Sequence, residues 1–204
     1  MIESSNKEQI IIHDTIKEND SIIHVVDSLP MNLSKELTLR VNKKTRLAIS
    51  CNHSATHLLH EALRSVLGAH VQQKGSMVSE KYLRFDFSHF SKLSENEIEE
   101  VQSFVNQKII DQIPLEENRS ALYTDCINKG VIALFGEKYG ETVRSVKFGN
   151  SHELCGGTHV SNTIQLRSFI ISSESAISTG IRRIEAVSGA QAIELLLNLS
   201  LIHI

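Results

Sequence analysis

The chain has 204 residues, 41% of them apolar, a formal net charge of −3 and ten histidines. Such a length suits one sizeable domain or two small ones, and such an apolar share excludes a disordered linker protein. No run of about 18 apolar residues is present, which excludes a membrane-spanning helix, and the slightly acidic balance does not mark a nucleic-acid binder, since such domains commonly carry a basic excess.

The first residues contain no apolar signal region, and three cysteines at scattered positions do not form a disulfide framework, so a reducing cytoplasm is expected. Residues 1 to 47 carry β-like runs: Ile10-Ile11-Ile12-His13, Ser21 to Val26 and Glu36 to Asn42. Polar turns such as Lys17-Glu18-Asn19-Asp20 separate them, which predicts a small barrel-like β subdomain. His13 and His24 fall inside strands and are given no site. Lys43-Lys44-Thr45-Arg46, and later Gly180-Ile181-Arg182-Arg183, could meet phosphates, although a solvated surface explains short basic runs better.

Residues 53 to 67 predict a helix with two different faces. His53, His57 and His60 fall within about a sixth of its circumference, because spacings of four and three return to one side. Ala55, Leu58, Leu59, Ala62, Leu63, Val66 and Leu67 point nearly the opposite way. The helix is therefore expected to pack on one side and present imidazoles on the other, a face that is either wet or metal-binding. Gly68 stops it.

A strand pair follows around Lys74-Gly75-Ser76, and its second arm, Tyr82 to Ser88, alternates. Leu83, Phe85 and Phe87 take one face while Arg84 and Asp86 share the other. That Arg and Asp either pair on a wet face or, if the face fronts a metal, orient a substrate or a ligand.

Ser94-Glu95-Asn96-Glu97 reads as a capping box, continued by Ile98, Val101, Val105 and Ile109 in a helix that ends before Pro114. Leu115 to Arg119 and Val131 to Phe135 read as strands, with a short helix between them from Thr124 to Lys129, closed by Gly130. Gly136 to Gly140 turns the chain into the strand Thr142 to Phe148. That strand leads to Glu153-Leu154-Cys155-Gly156-Gly157-Thr158-His159, where Cys155 and His159 repeat the spacing of His53 and His57. Two nitrogens from a helix and a sulfur plus a nitrogen from a turn suit tetrahedral zinc better than calcium or magnesium. The paired glycines are expected to supply positive φ and close approach to a ligand. Strands near Leu166 to Ile171 and Gly180 to Val187 precede a very apolar helix, Ala190 to Leu201, whose abrupt end suggests a chain that continues or a helix that needs a partner.

HSATHLLH at 53, VQQKGSMVSEKYLRFDFSH at 71, IALFGEKYGETVR at 132, ELCGGTHVSNT at 153 and STGIRRIEAVSG at 178 resemble, in order, the editing domain of alanyl-tRNA synthetase. The resemblance runs from about residue 45 to about residue 195. It implies an α+β fold: a small β subdomain over 1 to 47, then over 48 to 204 a two-layer domain with an antiparallel sheet packed against helices. It implies an aminoacyl-tRNA deacylase that removes serine or glycine from the tRNA for alanine, with that tRNA's acceptor end as partner and zinc as cofactor. His53, His57, Cys155 and His159 match the family's metal positions. Gln73 matches a pocket position, and Arg84 and Asp86 lie in a motif lining the same region. Thr56 and Ser54 are near the pocket by sequence only. The family's ATP-binding motifs are absent, so tRNA charging is not expected of this chain alone.

Where the family often has Thr-Gly-x-Ile-Gly-x-Phe, this chain reads Thr163-Ile164-Gln165-Leu166-Arg167-Ser168-Phe169, so a local difference after the metal pair is expected. Four protein donors close a tetrahedral shell, which favours a metal that organises the pocket over one that activates water directly. His60 is either a proton shuttle or a contact to a neighbouring strand. Gln73 or a nearby hydroxyl is the expected sensor of a serine side chain. The threonyl-tRNA synthetase editing domain and free-standing deacylases share the paired motifs, and a zinc-stapled RNA-binding module would show them without catalysis. A metalloprotease is disfavoured, because no glutamate follows the first histidine.

Overall fold

A computed structural model describes residues 1–4, 9–19, 21–32, 35–134 and 138–201. The chain divides into two compact units, Met1–Arg46 and Leu47–Ile204.

The first unit holds β1 (Ile2–Ser4), β2 (Gln9–Ile10), β3 (Ile12–Glu18), β4 (Ser21–Val26) and β5 (Leu37–Leu39). A three-stranded antiparallel sheet has the order β2-β1-β5, and β3 and β4 form a separate hairpin. Among the described residues no closed barrel forms, which corrects the barrel-like expectation. A barrel needs apolar faces turned inward, whereas Ile16, Ile22 and Val25 of the hairpin are 44%, 61% and 41% exposed. His13 bonds to Asp27, and His24 to Thr15, as surface partners.

Helix α1 (Lys43–Leu67) starts ten residues before the histidine run. The side-chain oxygen of Asn42 accepts the backbone N–H groups of Lys44 and Thr45, so the basic run forms a capped first turn. The second unit continues with β6 (Gln73–Val78), β7 (Leu83–Ser88), α2 (Glu95–Ile110), β8 (Glu116–Leu122) and α3 (Tyr123–Asn128). Then come β9 (Thr142–Phe148), β10 (Ser151–Leu154), a 3-10 turn at Thr163–Leu166, β11 (Phe169–Ser178), β12 (Ile181–Ser188) and α4 (Ala190–Leu201). Of the strand expected over Val131 to Phe135, only a single bridge from Ile132 to Glu153 is found, and Phe135 lies outside the described residues. Gly136 and Glu137 of the expected turn lie outside them too.

Two antiparallel sheets result, with orders β11-β12-β7-β6 and β10-β9-β8. Leu83, Phe85 and Phe87 of β7 and Ile184 and Ala186 of β12 share one core with Leu58, Leu59, Ala62 and Leu63 of α1, Val101 and Val105 of α2, and Val146 and Phe148 of β9. Each fully buried large side chain there stabilises the fold by about 1.5–3 kcal/mol. Helix α2 begins with the expected capping box, Ser94 and Glu97 bonding each other's backbone N–H. It also guards the edge strand β11, because Asn106 bonds both the N–H and the carbonyl of Phe169, and Gln102 accepts the N–H of Ile171.

Helix α1 runs between the two sheets. On one side Asn52 bonds Ser79 of the β6–β7 turn and Ser188 of β12; on the other, His57 and its carbonyl bond Glu153 and Ser151 of β10. Its histidine face is consequently covered, with His57 and His60 only 7% and 2% exposed.

Candidate metal centre

Four donors from two distant segments converge. One ligand atom each of His53, His57, Cys155 and His159 lies within 4.8 Å of every other, the one such cluster among the described residues. Helix geometry supplies the first pair, one turn apart on α1. The second pair comes from the turn after β10, which crosses the helix at this point. Cys155 Sγ lies 3.4 Å from His53 Nε2 and 3.3 Å from His159 Nε2. The three imidazoles surround the sulfur, with centroids 4.3 to 5.3 Å apart.

The turn is built to hold that arrangement. Neither Gly156 nor Gly157 has positive φ, so the expectation of unusual backbone is replaced by one of space. A Cβ on Gly157 would overlap the His53 ring, whereas one on Gly156 would meet nothing. The Gly157 N–H donates to the Cys155 sulfur at 3.4 Å. Arg144 donates to the carbonyls of Cys155 and Gly157 at 3.1 and 2.5 Å, and Glu117 fixes its guanidinium at 2.6 and 2.9 Å. Ser54 accepts the Val160 N–H and pairs with His159 Nδ1 at 3.2 Å, which orients the last ligand ring.

Charge follows from the same contacts. Burial would raise the Cys155 thiol, but hydrogen bonds with His159 and His53, together with the charge of the nearby His57, outweigh it and bring it down to about 3. Burial, together with the charge of His57 and His53, lowers His159 to about 4. Burial would lower His57 as well, yet the Glu153 carboxylate, helped by the Cys155 charge, pushes it up to about 10. Burial also works against ionised Glu153, but His57 and His60 hold its carboxyl far below the usual range. The sulfur and His159 are thus already deprotonated at neutral pH, as metal ligation requires. His57 Nδ1 is taken by Glu153, and its buried Nε2 has no hydrogen-bond partner. An unpartnered nitrogen beside a thiolate and two more imidazoles fits a borderline or soft metal ion, and no hard oxygen donor belongs to the set.

The other residues singled out from sequence fall in different places. Gln73 sits on β6 opposite Phe87, and it lines a cavity of about 390 Å³ shared with His60, Arg64 and Ile132. Its amide nitrogen donates to Ser76 at 3.2 Å. The Thr56 hydroxyl is buried and donates back to the Asn52 carbonyl. Arg84 and Asp86 do not meet the cluster: Phe85 between them packs against the His60 ring, so strand alternation turns both away from α1. Asp86 instead accepts two hydrogen bonds from Arg183, at 2.7 and 2.8 Å, with Arg84 3.9 Å away.

Glu153, Ser54 and Arg144 orient the ligands, and of these only Ser54 stands near the pocket by sequence. One signal was available for Glu153: metal-binding histidines usually give their second N–H to a carboxylate, and this acid stands in the ligand motif itself.

Geometry of this kind has a counterpart among known sequences. Residues 143–185 match the family described as threonyl and alanyl tRNA synthetase second additional domain. That places the β9 to β12 portion, with Cys155 and His159, in a class of accessory domains of aminoacyl-tRNA synthetases. The similarity then extends along nearly the whole chain. It is 54% identical over 191 residues to the alanine-tRNA ligase of Christiangramia forsetii, covering 94% of this chain and 22% of that protein. To the alanine-tRNA ligases of Flavobacterium psychrophilum and Parabacteroides distasonis it is 52% and 50% identical, over 90% and 92% of its length and 21% and 22% of theirs. The chain corresponds to the editing-domain region of an alanyl-tRNA synthetase, and it spans about a fifth of the length of the curated relatives it matches. No helix among the described residues is long and apolar enough to cross a membrane.

Proposed function

We propose that the Leu47–Ile204 unit hydrolyses the ester that joins a wrong amino acid, serine or glycine, to the tRNA for alanine, in the cytoplasm, with zinc held by His53, His57, Cys155 and His159. The observation that carries this reading is the closeness of the four-donor cluster to a polar cavity: Glu153 bonds His57 of the cluster and His60 of the cavity wall. Bound there, zinc would supply a fixed positive charge that organises the pocket and favours a developing oxyanion.

The side chains supply selection and placement. Gln73, its amide nitrogen engaged by Ser76, keeps its carbonyl free to accept from a serine hydroxyl. Alanine would leave that acceptor unpaired, which is how such a pocket tells serine from alanine; glycine has no hydroxyl either and is not selected through this contact. Asp86 is held by Arg183 with Arg84 beside it, and Thr56 bonds back to its own helix, so in this reading the pocket rests on Gln73 and the histidine face. The tRNA acceptor end, a single strand, would be held through phosphate, ribose and stacked bases.

The test is deacylation of seryl-tRNA and alanyl-tRNA, both on the alanine tRNA, by this chain and by Cys155→Ala. Serine is expected to be released and alanine retained, with release lost in the variant. Tight tRNA binding without hydrolysis by folded, zinc-loaded protein would instead identify a zinc-stapled RNA-binding module.

A further inference from the structure

Glu153 is 3% exposed, and its two oxygens lie 2.7 Å from Nδ1 of His57 and 2.7 Å from Nδ1 of His60. An ionised carboxylate accepts hydrogen bonds and donates none. Both rings must therefore carry a proton on Nδ1, and each keeps Nε2 as its remaining functional atom. Those two Nε2 atoms are buried and neither has a partner. For His57 the free nitrogen is the one left for the metal cluster. For His60, 2% exposed and braced by Phe85 at 5.4 Å between ring centroids, it belongs to a side chain lining the cavity with Gln73.

We propose that Glu153 is a positioning residue that sets the tautomers of two histidines at once. It turns His57 into an Nε2 ligand for the metal and His60 into an Nε2 acceptor in the cavity. There His60 takes a hydrogen bond from a donor of the aminoacyl group, its ammonium or its side-chain hydroxyl. One carboxylate thereby ties the geometry of the metal to that of the pocket. The role at His60 rests on the editing reading; the role at His57 does not.

Glu153→Gln keeps the shape but offers one acceptor and one donor, so it can satisfy only one of the two Nδ1–H groups. In that variant zinc affinity is expected to fall by about 10–100-fold. In zinc-loaded wild-type protein, ¹⁵N NMR of the rings is expected to show His60 protonated on Nδ1, and Glu153→Gln to lose that signature on one ring. His60→Gln, checked for folding by thermal melting, is expected to keep its zinc affinity while kcat/KM for seryl-tRNA falls by about tenfold or more, the loss of a buried hydrogen bond. A loss with both seryl and glycyl esters identifies the ammonium as the donor, and a loss with the seryl ester alone identifies the hydroxyl.

Unchanged zinc affinity in Glu153→Gln, or His60 protonated on Nε2 in the wild type, overturns the positioning role. Wild-type rates in His60→Gln overturn the contact. If the wild type hydrolyses neither ester, the editing reading fails, yet the zinc and NMR measurements still decide Glu153. Titration with a 3′-amide analogue of seryl-adenosine then decides His60, and failure to perturb its ring signals removes that half.

Discussion

Gly157 and Arg167 show how single backbone positions set the site. A side chain at 157 would occupy the space of the His53 ring. Gly157→Ala should therefore push that ligand out and weaken zinc binding by at least about tenfold, a loss comparable to that of disturbing a ligand's support. Gly156→Ala, with open space around it, should bind zinc as the wild type does; equal affinities for all three proteins in a chelator competition would contradict this. Arg167 has φ 58 and ψ −56, and the Ser168 N–H donates to the Leu166 carbonyl at 2.6 Å across it. That is the strained form of a three-residue turn, held by a residue where the related pattern has glycine. Relief of about 1–3 kcal/mol of strain, set against about 0.5–1 kcal/mol for glycine's extra freedom, should make Arg167→Gly more stable by about 1 kcal/mol. Its Tm should rise by about 2–4 °C, and a fall would contradict the strain. The missing glycines were visible in the sequence, but the γ-turn that makes one of them matter was not. The reverse held at Gly156 and Gly157, where the demand for glycine was legible and its cause, a ring and not a dihedral angle, was not.

Helix α1 is the element on which both sheets depend. Asn52, fully buried, donates to the Ser79 carbonyl and accepts from the N–H and hydroxyl of Ser188. Asn52→Ala leaves those groups unpaired inside the fold and should cost about 2–4 kcal/mol, read by urea unfolding; a loss below about 1 kcal/mol would show that they find other partners. The histidine face of the same helix predicts a pH dependence. In the metal-free protein His57 keeps its proton up to about 10, while His159 and Cys155 have lost theirs above about 4 and about 3. A metal entering between pH 7 and 9 must displace the His57 proton, so affinity should rise about tenfold per pH unit there. It should fall more steeply below about pH 4, where His159 and then Cys155 take up protons. Calorimetry in buffers of different ionisation enthalpy should report about one proton released per zinc at neutral pH, and none released would contradict the assignment. The periodicity of α1 made the ligand pair legible. Its burial on both sides was not, because the cover comes from β10, whose Glu153 lies 96 residues from His57 and is brought there only by tertiary pairing. The same reason explains Val131 to Phe135: local propensity marked a strand, but only Ile132 finds a bridge.

At the scale of the molecule, the second unit is two antiparallel sheets with one helix between them, and a four-donor cluster where the helix crosses the turn after β10. Alternation in β7 and the capping box of α2 were legible locally, and the α+β layering was expected from the resemblance. Among the described residues of 1 to 47 the barrel-like expectation is met by strands but by no closed barrel, since strand propensity there is not matched by faces that can be turned inward. Arg84 and Asp86 were legible as a pair but not as a pair on the far face, which depends on which side of the sheet α1 occupies. The central claim is that the cluster organises a pocket for ester hydrolysis. It is tested most directly by single-turnover release of serine and alanine from the alanine tRNA, with zinc-loaded protein and with the same protein stripped by a chelator. Fast loss of serine with alanine retained, abolished by stripping and restored by zinc, is expected. Equal rates for the two esters, or serine release that survives complete removal of the metal, would contradict it.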